Sequence, residues 1–270
     1  MIRTDLALEA KELWDRDPEN TTQLQGVRAR QTENLTYVEI LDREGAAALG
    51  KPVGTYLTIE LPTYDRDPKG PACGLAEELR KLMGLRDEDS VMVVGLGNSA
   101  VTPDALGPET ARRIFPTRHL IHALPRQFGS CRSVSVICPG VLATTGIESL
   151  ELVRGAVEHA KPTCILCIDA LAAGSASRLC NTVQCTTSGI APGSGVGNCR
   201  APFSRETLGV PVYAVGVPTV VDAGDDCPMM VTPRDIDEQI RYLGAVLAGG
   251  INLALHPNFS YEDFVQFVPQ

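Results

Sequence analysis

Apolar positions along this chain change their spacing from the first quarter to the rest. Leu35 to Leu41 and Gly54 to Leu61 alternate apolar with polar residues or carry β-branched side chains, so they read as strands. The Gly, Ala and Pro residues between them predict a turn. Leu75 to Met83 reads as a helix that stops at Gly84. Four short and almost wholly apolar runs follow, at Val91–Val94, Val134–Cys138, Cys164–Ile168 and Val212–Val217, with helices expected over Asp104–Ile114, Ile147–His159 and Pro233–Leu247. Apolar strands separated by helix-length segments predict parallel strands buried on both faces. With no internal repeat and no linker, residues 1–270 read as one α/β domain, its sheet mainly parallel or mixed and covered by helices on both faces.

Composition narrows the function. A chain of 270 residues, 44% hydrophobic, can bury a full core. No run of eighteen apolar residues is present, which argues against a membrane span. The opening Met1-Ile2-Arg3-Thr4-Asp5 lacks the basic-then-apolar layout of a signal peptide, so a cytoplasmic location is expected. A formal charge of −9 speaks against a nucleic-acid-binding surface, although Ala111 to Ile147 carries Arg and His without one acid. The nine cysteines are scattered through apolar runs and read as small core residues of a reducing compartment. Cys164-x-x-Cys167 has zinc-like spacing, but on a strand residues three apart face opposite ways, and no second pair completes four ligands.

Three glycine-bearing loops follow the apolar runs. Gly95-Leu96-Gly97-Asn98-Ser99-Ala100 fits the dinucleotide fingerprint, yet Thr102-Pro103 places the helix start too late, with Thr102 as N-cap. The acid needed for a ribose about twenty residues on is also missing. Pro192-Gly193-Ser194-Gly195-Val196-Gly197-Asn198 is no Walker loop, because no lysine occurs after Lys161, and Ser194 does not sit in G-x-S-x-G. It is either a tight turn or a substrate contact. The third loop runs from Cys138 to Gly146. Loops beyond the carboxyl ends of strands in an open α/β sheet converge on one crevice. Asn98, Thr145, Ser194 and Asn198 from these loops, with the nearby acids Glu148 and Asp222, are candidates for its shell.

Two acids stand out. Asp104 and Asp169 each open an Asp-Ala-Leu tripeptide, and Asp169 closes a buried apolar run. Each also has a purely structural explanation as a helix-capping or first-turn acid. If the two meet, they share a proton, and one polarises a peptide carbonyl while the other activates water. None of His119, His122, His159 and His256 lies in a metallopeptidase helix motif.

These motifs together resemble the germination proteases of endospore-forming bacteria. The resemblance rests on Val94–Asn98, Val101–Pro108, Pro139–Leu142, Ile168–Ala172, Gly189–Asn198, Gly216–Ala223 and Gly250–Pro257, and runs from Ile2 almost to the C-terminus. It implies an atypical aspartic endopeptidase that starts the degradation of small acid-soluble spore proteins in the spore core. It further implies a homotetramer, an autoprocessed precursor, no cofactor and no metal, a fold similar to that of hydrogenase maturation proteases, and Asp104 and Asp169 as the essential acids. Processing is expected between an acid and an aliphatic residue, which falls on Asp5–Leu6 and makes residues 1–5 a vestigial propeptide; the alternative is activity with little or no maturation. Two rival readings stay open: a metal-assisted peptidase with the same acids as ligands, and a non-catalytic chaperone that binds spore proteins.

Overall fold

The computed structural model describes residues 4–18, 20, 24–62, 67–198, 200–223 and 229–267. Its strands are β1 (Val27–Gln31), β2 (Leu35–Ile40), β3 (Gly54–Glu60), β4 (Val91–Gly95), β5 (Val134–Ile137), β6 (Cys164–Ala173), β7 (Thr182–Thr186), β8 (Val212–Asp222) and β9 (Met230–Val231). They form one mixed sheet in the order β1-β2-β3-β7-β8-β6-β4-β5, with β9 paired to the far end of β8. β8, β6, β4 and β5 run parallel, whereas β1, β2, β3 and β7 are antiparallel and join the parallel half where β7 meets β8.

The helices are α1 (Ala7–Arg16), α2 (Arg43–Leu49), α3 (Lys69–Met83), α4 (Leu106–Ala111), α5 (Arg118–Ala123), α6 (Pro125–Phe128), α7 (Leu142–Thr145), α8 (Ser149–Ala160), α9 (Arg205–Leu208), α10 (Ile236–Leu255) and α11 (Tyr261–Phe267). The apolar runs supply both faces of the parallel strands. Val91, Val93, Leu166, Ile168, Val215 and Val217 pack under α3, α4 and α10. Met92, Val94, Ile165, Cys167 and Ala214 pack on the opposite side, with Leu150 and Val153 of α8 and Leu208 of α9. Cys164 and Cys167 thus point into different cores, as strand geometry requires. α1 and α2 cover the antiparallel end through Ala7, Leu49, Val38, Ile40 and Tyr56.

Several expectations need correction. The segment between β2 and β3 is the helix α2, because Asp42 caps it by accepting from the N–H groups of Glu44 and Gly45, and Ala-Ala-Ala-Leu favours helix. The helix expected at Asp104–Ile114 splits into a 3-10 turn, Thr102–Asp104, and α4, with Val101 rather than Thr102 at the N-cap. α10 runs eight residues beyond the expected end at Leu247, since Gly249 and Gly250 lie against Ala72, Tyr261 and Leu75, where a side chain would not fit. β6 does not end at Ile168. It continues through Ala173, paired with β8, so Asp169 lies inside a strand and caps no helix. β1 and β7 escape the apolar pattern because Val-Arg-Ala-Arg-Gln is an exposed strand and Thr-Val-Gln-Cys-Thr is polar at three of five buried positions.

Candidate active site

From β4 the chain crosses to β5 on one side, while β6 leads through β7 to β8 on the other. Adjacent strands whose connections diverge leave a crevice at their carboxyl ends, the usual ligand position in such sheets. The loop after β4 is locked there. Leu96 N–H donates to the Ile168 carbonyl at 2.8 Å, and Asn98 N–H donates to Asp104 at both the carbonyl oxygen (3.1 Å) and Oδ2 (2.8 Å). Gly97 has φ +114°, and a Cβ on it would strike the Asp104 carbonyl. The fingerprint glycine therefore serves the approach of the Asp104 segment. On the other side, Thr219 Oγ1 of β8 donates to the Pro103 carbonyl at 2.7 Å. Beneath, Gly107 packs so closely on the backbones of Leu96 and Ile168 that no Cβ would fit. These contacts hold Asp104 over the end of β4, beside β6.

Asp169 follows Ile168 on β6 and is only 4% exposed. Strand alternation places it on the α8 side, in the row of Cys167 and Leu171. Its neighbour across the β8 ladder is Gly216, where a Cβ would strike the Asp169 carbonyl and the Leu171 side chain. Asp169 Oδ1 accepts from Ala170 N–H at 3.0 Å, and among the described residues no cation pairs with the carboxylate. Burial, then the charges of Asp104 and Asp5, push its pKa well above the usual carboxylate range. Burial also raises Asp104, against the lowering effect of the Asn98 N–H bond. Asp169 thus senses the charge of Asp104, and both acids hold protons more tightly than free carboxyls do.

Two clefts meet at this point. The larger, about 510 Å³, is lined by Asp104, Asp169, Asn98, Glu148, Asn198 and Arg200, among others. The smaller, about 350 Å³, has Asp169, Lys51, Tyr56, Gln184, Ser188 and Ser194 in its wall. Asp5, Asp169, Leu171 and Gly193 line both. Asp5 is tied in on every side: its N–H donates to the Ala172 carbonyl, Ala172 N–H donates to Oδ2 (each 2.9 Å), and Ser194 Oγ donates to Oδ1 at 2.6 Å. Leu6 is fully buried against Leu171, Ala173 and Ile190.

Of the shell candidates, Asn98, Glu148 and Asn198 face the first cleft and Ser194 the second. Glu148 pairs with Arg200 at 3.4 Å. Thr145 and Asp222 line neither cleft: Thr145 Oγ1 donates to the Ile147 carbonyl, and Asp222 ends β8 opposite Met230. The sequence reading missed Lys51 and Arg200, which stand in no motif, and it treated Asp5 only as a processing position. None of the four histidines lines either cleft, and among the described residues no three His, Cys, Asp or Glu side chains are grouped to hold a metal.

A family model described as germination protease matches residues 7–227, a span that contains both Asp104 and Asp169. The chain belongs to the germination protease family. The germination protease of Caldanaerobacter subterraneus subsp. tengcongensis is 40% identical, the match covering 99% of this chain and 98% of that protein. That of Clostridium perfringens is 36% identical over 99% of each. The germination protease of a Geobacillus species is 43% identical over 92% of this chain and 70% of its own length. Membership makes this chain a peptidase, and the region matched to the germination protease model includes the loop after β4, β6 and the Gly193–Asn198 loop.

Proposed function

We propose that this peptidase is an endopeptidase that begins the breakdown of small acid-soluble spore proteins during germination, in the cytoplasm of the spore core, with Asp104 and Asp169 as its catalytic pair. One observation carries the assignment of the pair: Asp169 is a buried mid-strand acid without a cation partner among the described residues, electrostatically coupled to Asp104 across a shared cleft. Burying an unpaired acid costs stability, and such costs concentrate at functional sites.

The roles follow from the two environments. Asp169, whose pKa burial raises more strongly, is the acid of the pair that holds the proton and offers it as a hydrogen bond to the oxygen of the scissile carbonyl. Asp104, half-buried at the first cleft, is the ionised partner and accepts a proton from water as the water oxygen bonds to the carbonyl carbon. Asp104 then passes that proton to the leaving nitrogen as the C–N bond breaks. Asn98, through its N–H, keeps Asp104 in place. The same reading includes a homotetramer and a precursor processed at Asp5–Leu6. With Leu6 buried and the Asp5 carbonyl accepting from Gln184 Nε2 at 3.1 Å, that bond becomes reachable only when the segment loosens. N-terminal sequencing after incubation at mildly acid pH shows Leu6 as the new first residue if processing occurs there.

The deciding experiment is cleavage of a small acid-soluble spore protein by wild type, Asp104→Asn and Asp169→Asn, alongside binding of the same substrate. Each substitution should lower kcat by about a hundredfold or more while binding persists. Equal binding by all three proteins without cleavage by wild type would instead mark a chaperone, and loss of wild-type cleavage on chelation would mark a metal-assisted peptidase.

A further inference from the structure

β6 outruns its neighbour β4. Their ladder ends at Gly95 and Ile168, while β6 continues to Ala173 with β8 on its other side. In a parallel sheet the N–H and C=O of one residue point to the same neighbouring strand, and those of the next residue point the opposite way. Ile165 N–H donates to the Pro211 carbonyl just before β8, and the Ile168 carbonyl accepts from Leu96 N–H just after β4. Asp169 and Leu171 thus turn their backbone groups to β8. Ala170 and Ala172 turn theirs to the side where β4 has ended.

At Ala172 this free edge already holds an extended chain. Asp5 N–H donates to the Ala172 carbonyl, Asp5 Oδ2 accepts from Ala172 N–H, and Leu6, next along, is extended at φ −79° and ψ 124°. At Ala170 one group is left over. Its N–H donates to Asp169 Oδ1, whereas its carbonyl accepts no hydrogen bond from the described residues. Ala170 is half-buried, lines the first cleft with Asn98 and Asp104, and directly follows Asp169. An open backbone acceptor on a strand edge is a template for another extended chain.

We propose that the substrate main chain binds as a short added strand on this edge of β6, donating one backbone N–H to the Ala170 carbonyl. The inference rests on the reading of Asp104 and Asp169 as the catalytic pair, and it concerns the peptide backbone rather than any substrate side chain. The first cleft, about 510 Å³, admits a few residues of an extended peptide. A main-chain hydrogen bond next to Asp169 fixes the height of the scissile carbonyl over the acids whatever the substrate sequence. Positioning of that kind acts directly on the rate of bond cleavage.

The test is an ester scan. In a peptide that wild type cleaves, each backbone amide flanking the cleaved bond is replaced in turn by an ester, which removes one N–H and keeps every side chain. One ester should lower kcat/KM about fivefold or more, while the esters on either side of it change the rate less than about twofold, because neighbouring N–H groups on an extended chain point opposite ways. A crystal structure of wild type with the same peptide, its scissile carbonyl reduced to a methylene, should place the sensitive N–H about 3 Å from the Ala170 carbonyl oxygen. A scan in which no ester lowers the rate overturns the proposal, and so does a complex in which the sensitive N–H meets another acceptor. Failure of the catalytic reading shows differently: Asp104→Asn or Asp169→Asn protein would then cleave the parent peptide at the wild-type rate, whatever the ester scan gives.

Discussion

Asp169 shares one sheet face with Cys167 and Leu171, where an apolar side chain would ordinarily sit. Its stability linkage has a definite sign. Below about pH 4, near the ordinary carboxyl value, folded and unfolded chains are both protonated. As pH rises past that value the unfolded chain releases a proton that the folded chain keeps, so stability falls until the raised folded pKa is passed. Asp169→Asn removes the titrating group, and we expect it to abolish cleavage yet raise Tm at pH 7, with a flatter stability profile than wild type above pH 4; thermal unfolding across pH checks both. Asp5 adds to the upward shift of Asp169. In the chain that retains residue 5, Asp5→Asn should therefore narrow the pH range over which stability falls, because Asp169 releases its proton at lower pH. An unchanged pH profile of thermal unfolding would show that the Asp5 charge does not reach Asp169.

At the scale of elements, the site depends on how closely α4 approaches the ends of β4 and β6. Gly107 makes that approach possible, with the backbones of Leu96 and Ile168 where its side chain would be. Gly107→Ala should push α4 outward, displacing Asp104. We expect a loss of about 1–3 kcal/mol in denaturant unfolding together with a fall in kcat larger than any change in KM. The four apolar strands, α8 and the Gly84 stop of α3 were readable in advance because continuous apolar runs and terminators act locally. The full lengths of β6 and β8 were not. Ala-Leu-Ala-Ala after Asp169 reads equally well as helix, and only its pairing with Val217, Pro218, Val220 and Val221 of β8 keeps it extended. That pairing turned Asp169 from an apparent helix cap into a strand residue facing a cleft.

Across the whole molecule, the N-terminal segment joins the two halves of the sheet at the site. Gln184 of β7 accepts from Ala7 N–H at 2.8 Å, Asp5 bridges Ala172 and Ser194, and Glu9 receives the N–H groups of Gly174 and Ser175 at 2.6 and 3.0 Å. Glu9 is buried, so Glu9→Ala strands two backbone donors. It should cost about 1–3 kcal/mol by urea titration, and limited proteolysis should show earlier cutting near residue 175. Contacts of this kind join residues more than 160 positions apart, beyond the reach of any local pattern. From the sequence alone came the α/β class, the buried parallel strands, the failure of the nucleotide and zinc readings, and the two Asp-Ala-Leu acids within a germination protease pattern, because periodicity, spacing and motif identity are properties of neighbouring residues. The tertiary structure alone decided that Asp104 and Asp169 share a cleft, that Asp5 adds its charge to theirs, that Thr145 and Asp222 stand aside, and that Lys51 faces the second cleft. Each of those depends on strand order and on burial, which set the distances and the dielectric between residues remote in sequence.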